Sequence, residues 1–238
     1  MELLRQLAAD RGQRAISSLA AEIGLPASTA YRIAATFERH GFVSRLQRGR
    51  YVPGPALLEL ANAGGLNLVI TGVGRPIIEK LARQTGCTAH LGVFEGGMVT
   101  YLLKAGHRRA GLFTREGTQL EAYCTGIGKV LLAALPEAEL QDYLATGPFI
   151  RLTTNTLTDP AALRAALATV QAQGYAADNA EMDVDLRCLA IPVRDPHGRV
   201  IAAISIAARR RDGSATELSI HLDALQRAAS ALTRRLGW

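Results

Sequence analysis

The chain has 238 residues, 48% of them hydrophobic and 20% charged, with a formal charge of +6 and a pI of about 9.6. Such a composition is that of a globular chain of one large or two ordinary domains and excludes a disordered or fibrous one. The charge is uneven: residues 1–53 hold eight arginines against four acids (Glu2, Asp10, Glu22 and Glu38), a surplus of four that leaves +2 for the much longer remainder. A basic excess confined to a short segment is the footprint of a nucleic-acid reader, and it favours two domains over one. Because most of the chain is nearly neutral, a purely architectural DNA-coating protein is disfavoured.

In chain order, Met1–Ala9 is expected to be a helix with Leu3, Leu4 and Leu7 on one side, closed by Gly12. Ile16, Leu19, Ala20 and Ile23 then fall at helical spacing, with Ser17 or Ser18 as the candidate N-cap and Gly24 as the stop. Pro26 restarts the chain, since its missing N–H costs nothing in a first turn. The next helix, about Pro26 to Arg39, has an apolar face of Ala30, Ile33, Ala34 and Phe37. Its other side carries Ser28, Tyr31, Arg32 and Ala35, with Thr29 beside them. Hydroxyls, an aromatic tip, a guanidinium fork and a small residue suit a helix laid in the major groove. An ordinary solvated face would look the same. Phe42–Leu46 and Arg50–Val52 alternate around Arg48-Gly49 as a hairpin that carries Arg45, Arg48 and Arg50. Alone it reads as a solvated hairpin; beside two short helices and a tight turn it reads as a wing that straddles a phosphate backbone. The first domain is therefore set at 1–53, a winged helix-turn-helix.

Gly54-Pro55 opens a short helix in which Leu57, Leu58, Leu60 and Ala61 form a stripe, ended by Gly64-Gly65. So short a helix is marginal alone. The stripe is buried either against a second copy, making 54–65 a linker that dimerises, or against its own domain. The second domain, 66–238, begins with a helix over Leu68–Gln84, where Pro76 marks a kink or a restart and Gly86 a stop. Cys87–Glu95 and Met98–Lys104 form a hairpin around Gly96-Gly97. Helices follow at Gly126–Leu135, Pro136–Ala145 and Asp159–Gln173, the last capped by Asp159 and ended by Gly174. Cys188–Arg194 and Val200–Ala207 are strands joined by D-P-H-G, and Thr216–Leu236 is a closing amphipathic helix. The fold class is α+β, an antiparallel sheet with helices packed on it.

Several chemistries are disfavoured. Cys87, Cys124 and Cys188 are far apart and form no C-x-x-C or Cys/His metal spacing, which suits reduced thiols. The five histidines show no ligand spacing, no G-x-S-x-G occurs, and Glu181, Asp183 and Asp185 are weak evidence for acid–base catalysis. Lys129 follows a glycine, but Val130 after it breaks the P-loop pattern. His90 on the first strand faces either a pocket or the core. No cofactor is implied. The N-terminus lacks the continuous apolar run of a signal peptide and no stretch reaches membrane-spanning length, so the expectation is a cytoplasmic protein with no membrane partner.

L-P-A-S-T-A-Y-R-I-A-A-T-F-E-R-H-G-F-V with G-R-Y-V-P-G, then Y-C-T-G-I-G-K-V-L-L-A-A-L, then G-Y-A-A-D-N-A-E-M-D-V-D-L-R-C-L-A-I-P-V-R-D-P-H-G-R-V-I-A-A-I-S-I, together resemble the IclR family of bacterial transcriptional regulators. The resemblance spans essentially the whole chain. It implies a winged helix-turn-helix, a linker helix and a GAF-like domain that binds a small organic acid and alters occupancy of a double-stranded DNA operator. It also implies a homodimer or a dimer of dimers. The family's effector pocket falls on Gly126 and Ile127, whose backbone N–H groups begin a helix, and on Leu186, Cys188 and Ser205. Two departures stand out. Asp185 occupies a position where relatives often have glycine, which makes it a candidate contact for a hydroxyl-bearing ligand or a residue turned away. Ala207-Ala208-Arg209 replaces a second serine and Gly-Pro. The alternative is a metabolite-binding sensor or an enzyme of small carboxylates with no sequence-specific role on DNA.

Overall fold

A computed structural model describes residues 1–106, 112–209 and 218–237, and the side chains of these apart from 58 and 61–64. The chain divides into two compact units, Met1–Leu68 and Val69–Trp238.

The first unit contains α1 (Glu2–Asp10), α2 (Ile16–Glu22), α3 (Ala27–Arg39), the hairpin β1 (Val43–Gln47) and β2 (Arg50–Pro53), and α4 (Pro55–Gly64). Leu3, Leu4 and Leu7 of α1 meet Ile16, Leu19 and Ala20 of α2, Ala30 and Ala34 of α3, and Val43 and Tyr51 of the hairpin in one buried cluster. This is the expected winged helix-turn-helix, with two local corrections. Neither Ser17 nor Ser18 caps α2, which starts at Ile16 behind Ala15 and has no side-chain cap. Instead the Ile16 N–H donates to the Gly49 carbonyl at 2.7 Å, so the hairpin turn satisfies the first donor of the helix. Pro26 occupies the N-cap position of α3 rather than its first turn. Leu57 packs against the cluster of its own unit, whereas Leu60 is exposed.

The second unit begins its order with α5 (Leu66–Thr85), which straddles the boundary between units. It runs unbroken through Pro76. The carbonyl that loses its partner there is that of Gly72, four residues earlier. Then come β3 (Thr88–Glu95), β4 (Met98–Ala105), β5 (Gln119–Glu121), α6 (Gly126–Leu132), α7 (Glu137–Leu144), α8 (Pro160–Gln173), β6 (Ala176–Asn179), β7 (Leu186–Arg194) and β8 (Val200–Arg209). A 3₁₀ turn over Leu218–His221 leads into α9 (Leu222–Arg235). The closing helix thus starts later than expected, and Thr216 and Glu217 lie outside the described residues.

The strands form one antiparallel sheet in the order β5-β4-β3-β8-β7-β6. Side chains alternate across it. Ala89, Leu91 and Val93 of β3, Leu189, Ile191 and Val193 of β7, and Ala202, Ile204 and Ile206 of β8 pack under α5 and α9. Ala190, Ala203, Val99 and Tyr101 face α6, α7 and α8. The fold is therefore α+β with helices on both faces. Asp159 caps α8 through Ala162 N–H at 2.8 Å, and Gly174 closes it in the left-handed region, as its sequence dictates. Among the described helices, none is long and apolar enough to cross a membrane.

Helix α6 lies close to the segment before it. A Cβ built on Gly128 would fall 2.1 Å from the Ala122 carbonyl oxygen, a backbone atom that cannot step aside. Gly72, exposed in α5, has nothing within 4 Å of the same position. Gly128→Ala is expected to destabilise the second unit by about 3 kcal/mol or more through overpacking. Gly72→Ala should stabilise it by about 0.5–1 kcal/mol through helix propensity. Urea denaturation of the two variants checks both signs, and a silent Gly128→Ala would contradict the packing described.

Candidate functional site

Two sites emerge, one in each unit. In the first, α3 presents Ser28, Tyr31 and Arg32 to solvent, with Thr29 half-buried beside them. No side chain caps the start of α3, which leaves its first backbone donors available. The tip of Tyr31 reaches the hairpin turn: a Cβ on Gly49 would lie 2.8 Å from its hydroxyl oxygen. Gly49 has φ +75°, so glycine satisfies both the turn and the close approach. The three hairpin arginines differ. Arg48 is exposed and Arg50 half-buried. Arg45 donates to Glu38 at 2.7 Å and its guanidinium lies 5.7 Å from the centre of the Tyr51 ring. A half-exposed ion pair of this kind adds little stability; its effect is to fix the direction of the hairpin relative to α3.

In the second unit, a narrow cavity opens on the α6 side of the sheet. A mostly apolar lining with a few convergent polar groups is that of a small-molecule site. Asp178, Cys188, Ala207, His90 and Ser205 of its floor belong to two cross-strand rows. Asp178 pairs with Cys188, Cys188 with Ala207 and Ala207 with Thr88. One step along the strands, Ala190 pairs with Ser205 and Ser205 with His90. Thr125, Gly126 and Ile127 form the wall at the start of α6, and Tyr101, Leu120, Met182 and Leu186 complete the enclosure. Thr125 caps α6 by accepting the Gly128 N–H at 3.1 Å.

The polar groups of the cavity are set by burial. His90 is wholly desolvated, and burial pulls its pKa down to about 3, so the ring is neutral. It lies 3.0 Å from the Thr114 hydroxyl and packs edge-on against Tyr101. Burial likewise pushes the Tyr101 phenol and the Cys188 thiol up, so both stay protonated. Asp178 is raised by desolvation to about 6. One of its oxygens accepts the Glu181 N–H at 2.8 Å, while the other is buried without a hydrogen-bond partner. Behind this wall, Lys129 and Glu181 form a buried ion pair, and the same ammonium donates to the Ala177 carbonyl at 2.6 Å. The lysine therefore ties α6 to β6 and to the segment after it, and is not a phosphate ligand.

Residues 112–114 complete the cavity wall. The Lys104 ammonium donates to the Leu112 and Thr114 carbonyls. Glu116, two residues beyond, accepts both arms of Arg75 at 3.0 Å each. The segment is thus fastened to β4 and to α5.

Of the sequence-derived pocket residues, Gly126, Ile127, Leu186, Cys188 and Ser205 are brought together around the cavity. Asp185 is not: it is exposed in the turn before β7, with its N–H bonded to Asp183 at 3.0 Å. The acid that does enter the wall is Asp178, on β6, which was passed over because four residues, A-A-D-N, give too little alternation to reveal a strand. β5, with three residues, was missed for the same reason. The open choice for His90 resolves towards the cavity, and its position opposite Ser205 is the register that would have shown it. The three thiols are free, Cys87 and Cys124 being buried. Arg209 ends β8 and pairs with Asp183 at 2.8 Å; Arg210, Arg211 and His107 lie outside the described residues. Among the described residues no cluster of metal-ligating groups occurs.

Profiles of known families match both units. The one described as bacterial transcriptional regulator IclR C-terminal covers residues 66–234, and the IclR helix-turn-helix domain covers residues 1–47. The chain is 34% identical over 225 residues to the HTH-type transcriptional regulator XynR of Escherichia coli (strain K12), covering 94% of this chain and 89% of that protein. It is 31% identical over 225 residues to KdgR of the same organism, covering 94% and 86% respectively. Among solved structures, Thermotoga maritima IclR superposes with a TM-score of 0.65 at 30% identity, over 100% of this chain and 96% of that one. An IclR homologue from Microbacterium hydrocarbonoxydans, complexed with 4-hydroxybenzoate, gives a TM-score of 0.66 at 27% identity, over 99% and 96%.

The raised Asp178 pKa has a stability consequence. The folded chain holds this proton more tightly than the unfolded chain, so stability falls as pH rises from about 4 to about 6 and then levels. Asp178→Asn removes the burial of charge while keeping the acceptor for Glu181. It should be more stable than the parent at pH 7.5, by up to about 3 kcal/mol, with the difference vanishing near pH 4. Urea midpoints at the two pH values check this, and equal differences at both would contradict it.

Proposed function

Because the chain belongs to the IclR family of bacterial transcriptional regulators, we propose that it reads an operator with its N-terminal unit and adjusts that reading to a small organic acid held in the cavity of the second. It is a regulator rather than an enzyme, as the family and its relatives are. In this reading Ser28, Thr29, Tyr31 and Arg32 meet base edges and adjacent phosphates, while Arg48 and Arg50 meet the backbone beside the groove. Arg45 orients the hairpin through Glu38 and contacts phosphate with what donor capacity remains.

The observation that carries the effector half is the cavity itself. It is mostly apolar, it lies against the α6 start, and it collects the Ser205 hydroxyl, the Cys188 thiol and the Asp178 carboxyl on one wall. The Gly126 and Ile127 amides serve an anionic group, Ser205 serves as a donor, and Leu186 sets the width. The Microbacterium relative, with 4-hydroxybenzoate bound, supports a small acid. Occupied and empty cavities favour different populations of the regulator, and the ligand shifts operator affinity by its differential affinity for the two.

We further propose that residues 54–65 link the two units and pair with a second copy, to give a dimer or a dimer of dimers. Leu60, Leu66 and Leu68 are exposed at 58%, 49% and 67%, an apolar surface that a partner copy would cover. A regulator with this partner works in the cytoplasm, where operator DNA is found.

Arg32→Ala is expected to weaken binding to a specific operator by about 1–3 kcal/mol, measured by fluorescence anisotropy on a duplex from the promoter region adjoining its own gene. Arg48→Ala should weaken all sequences alike and flatten the salt dependence by about one unit of slope. For the cavity, a thermal-shift screen of small carboxylates, aromatic acids and sugar acids identifies a stabilising ligand by mass action. Ser205→Ala should then lower that ligand's affinity about tenfold in titration calorimetry, the loss of roughly one buried hydrogen bond, without altering DNA binding in its absence. Undiminished affinity would remove Ser205 from the pocket wall.

A further inference from the structure

The opposite face of the second unit, where α5 and α9 lie side by side, has a feature that neither the operator nor the effector uses. Two adjoining depressions of about 350 and 510 Å³ run along these helices and share Lys80, Arg227 and Ala231. Their borders carry five exposed cations: Lys80 and Arg83 from α5, and Arg227, Arg234 and Arg235 from α9. None of the five pairs with a carboxylate among the described residues. Elsewhere in the same unit Arg75, Lys129, Arg164, Arg199 and Arg209 are matched to acids, while Lys104, Arg151, Arg187 and Arg194 donate to carbonyls or to a threonine hydroxyl. Asp223 is the one acid on the border of either depression. Between the cations the floor is apolar and shallow. Ala224, Ala228 and Ala231 recur at four- and three-residue steps along α9, opposite Ile77 and Leu81 of α5.

From this arrangement we propose that the groove between α5 and α9 docks an acidic amphipathic helix belonging to a partner protein. A row of alanines makes a trench where larger side chains would make a ridge, and a helix with an apolar stripe fits such a trench. Arg227 and Arg234 are two helical turns apart, about 10.5 Å along the axis, so they match carboxylates spaced seven residues apart on an aligned helix. Lys80 and Arg83 flank the same stripe from the other side. A second copy of this face does not fit, because it would set five cations against five. Duplex DNA would satisfy the cations but leave the apolar floor unused. Charge complementarity and the floor together select a helix that is acidic on its flanks and small or aliphatic at its centre.

The test uses the full chain and a fluorescein-labelled synthetic peptide of sixteen or so residues, with glutamates flanking an alanine–leucine stripe at helical spacing. Fluorescence anisotropy should show saturable binding that weakens with salt and drops at least tenfold in Arg227→Glu/Arg234→Glu. The milder Arg227→Gln/Arg234→Gln should lose less. A peptide of the same composition in scrambled order should bind at least fivefold more weakly. Equal binding by the parent and the charge-reversed variant would overturn the proposal, as would equal binding of the ordered and scrambled peptides, which would mark a non-specific polyanion surface. Operator affinity and sedimentation behaviour of the charge-reversed variant should match the parent. A fall in operator affinity would assign the face to DNA, and a change in oligomeric state would assign it to self-association; either result overturns the docking of a partner helix.

Discussion

The cavity exists because α6 is held hard against its surroundings. Gly128 leaves no room for a side chain next to the Ala122 carbonyl, Thr125 caps the first turn, and Lys129 reaches across to Glu181 and the Ala177 carbonyl. Breaking a buried ion pair by removing one partner costs several kcal/mol, because the remaining charge is stranded. These three contacts hold one short helix at the height above the sheet that leaves space beside it over Cys188, Ser205 and Asp178. A looser α6 would fill that space or open it to solvent. The polar atoms of the wall would then be solvated and would lose the low-dielectric setting that makes a single hydroxyl or carboxyl selective.

The same economy of contacts recurs in the reading head. The hairpin turn caps α2 through Gly49, receives the tip of Tyr31 from α3, and is steered by the Arg45–Glu38 pair. Helix and hairpin are therefore one rigid surface, and the arginines of the hairpin move with the helix. Any displacement of the helix therefore carries the whole reading surface with it.

Much of this was legible in the sequence because it is written in strong local signals. Leucines at 3, 4 and 7, the Pro26 start of α3, Asp159-Pro160 with Gly174, and the Gly96-Gly97 turn each fix one conformation for a stated physical reason. The five pocket residues Gly126, Ile127, Leu186, Cys188 and Ser205 came from the resemblance to a family, and they do line one cavity. What stayed hidden depends on pairing between distant segments. Asp178 enters the wall only because β6 pairs with β7 and sets it opposite Cys188, and nothing within A-A-D-N announces that. Asp185, foreseen as either a ligand contact or a residue turned away, is exposed in the turn before Leu186. The cap of α2 was assigned to a serine on local grounds, when a carbonyl 33 residues further on supplies it.

If occupancy of this cavity governs occupancy of DNA, filling the cavity by mutation uncouples the two. Ala207 is buried on the cavity floor, and Ala207→Leu places added volume there without touching the head. The complex of the chain with its operator would be titrated with small carboxylic acids while anisotropy reports DNA binding. At least one acid should change operator affinity fivefold or more for the parent chain and leave the filled variant unmoved. An unchanged operator affinity with every acid, or an identical response from the filled variant, would contradict it.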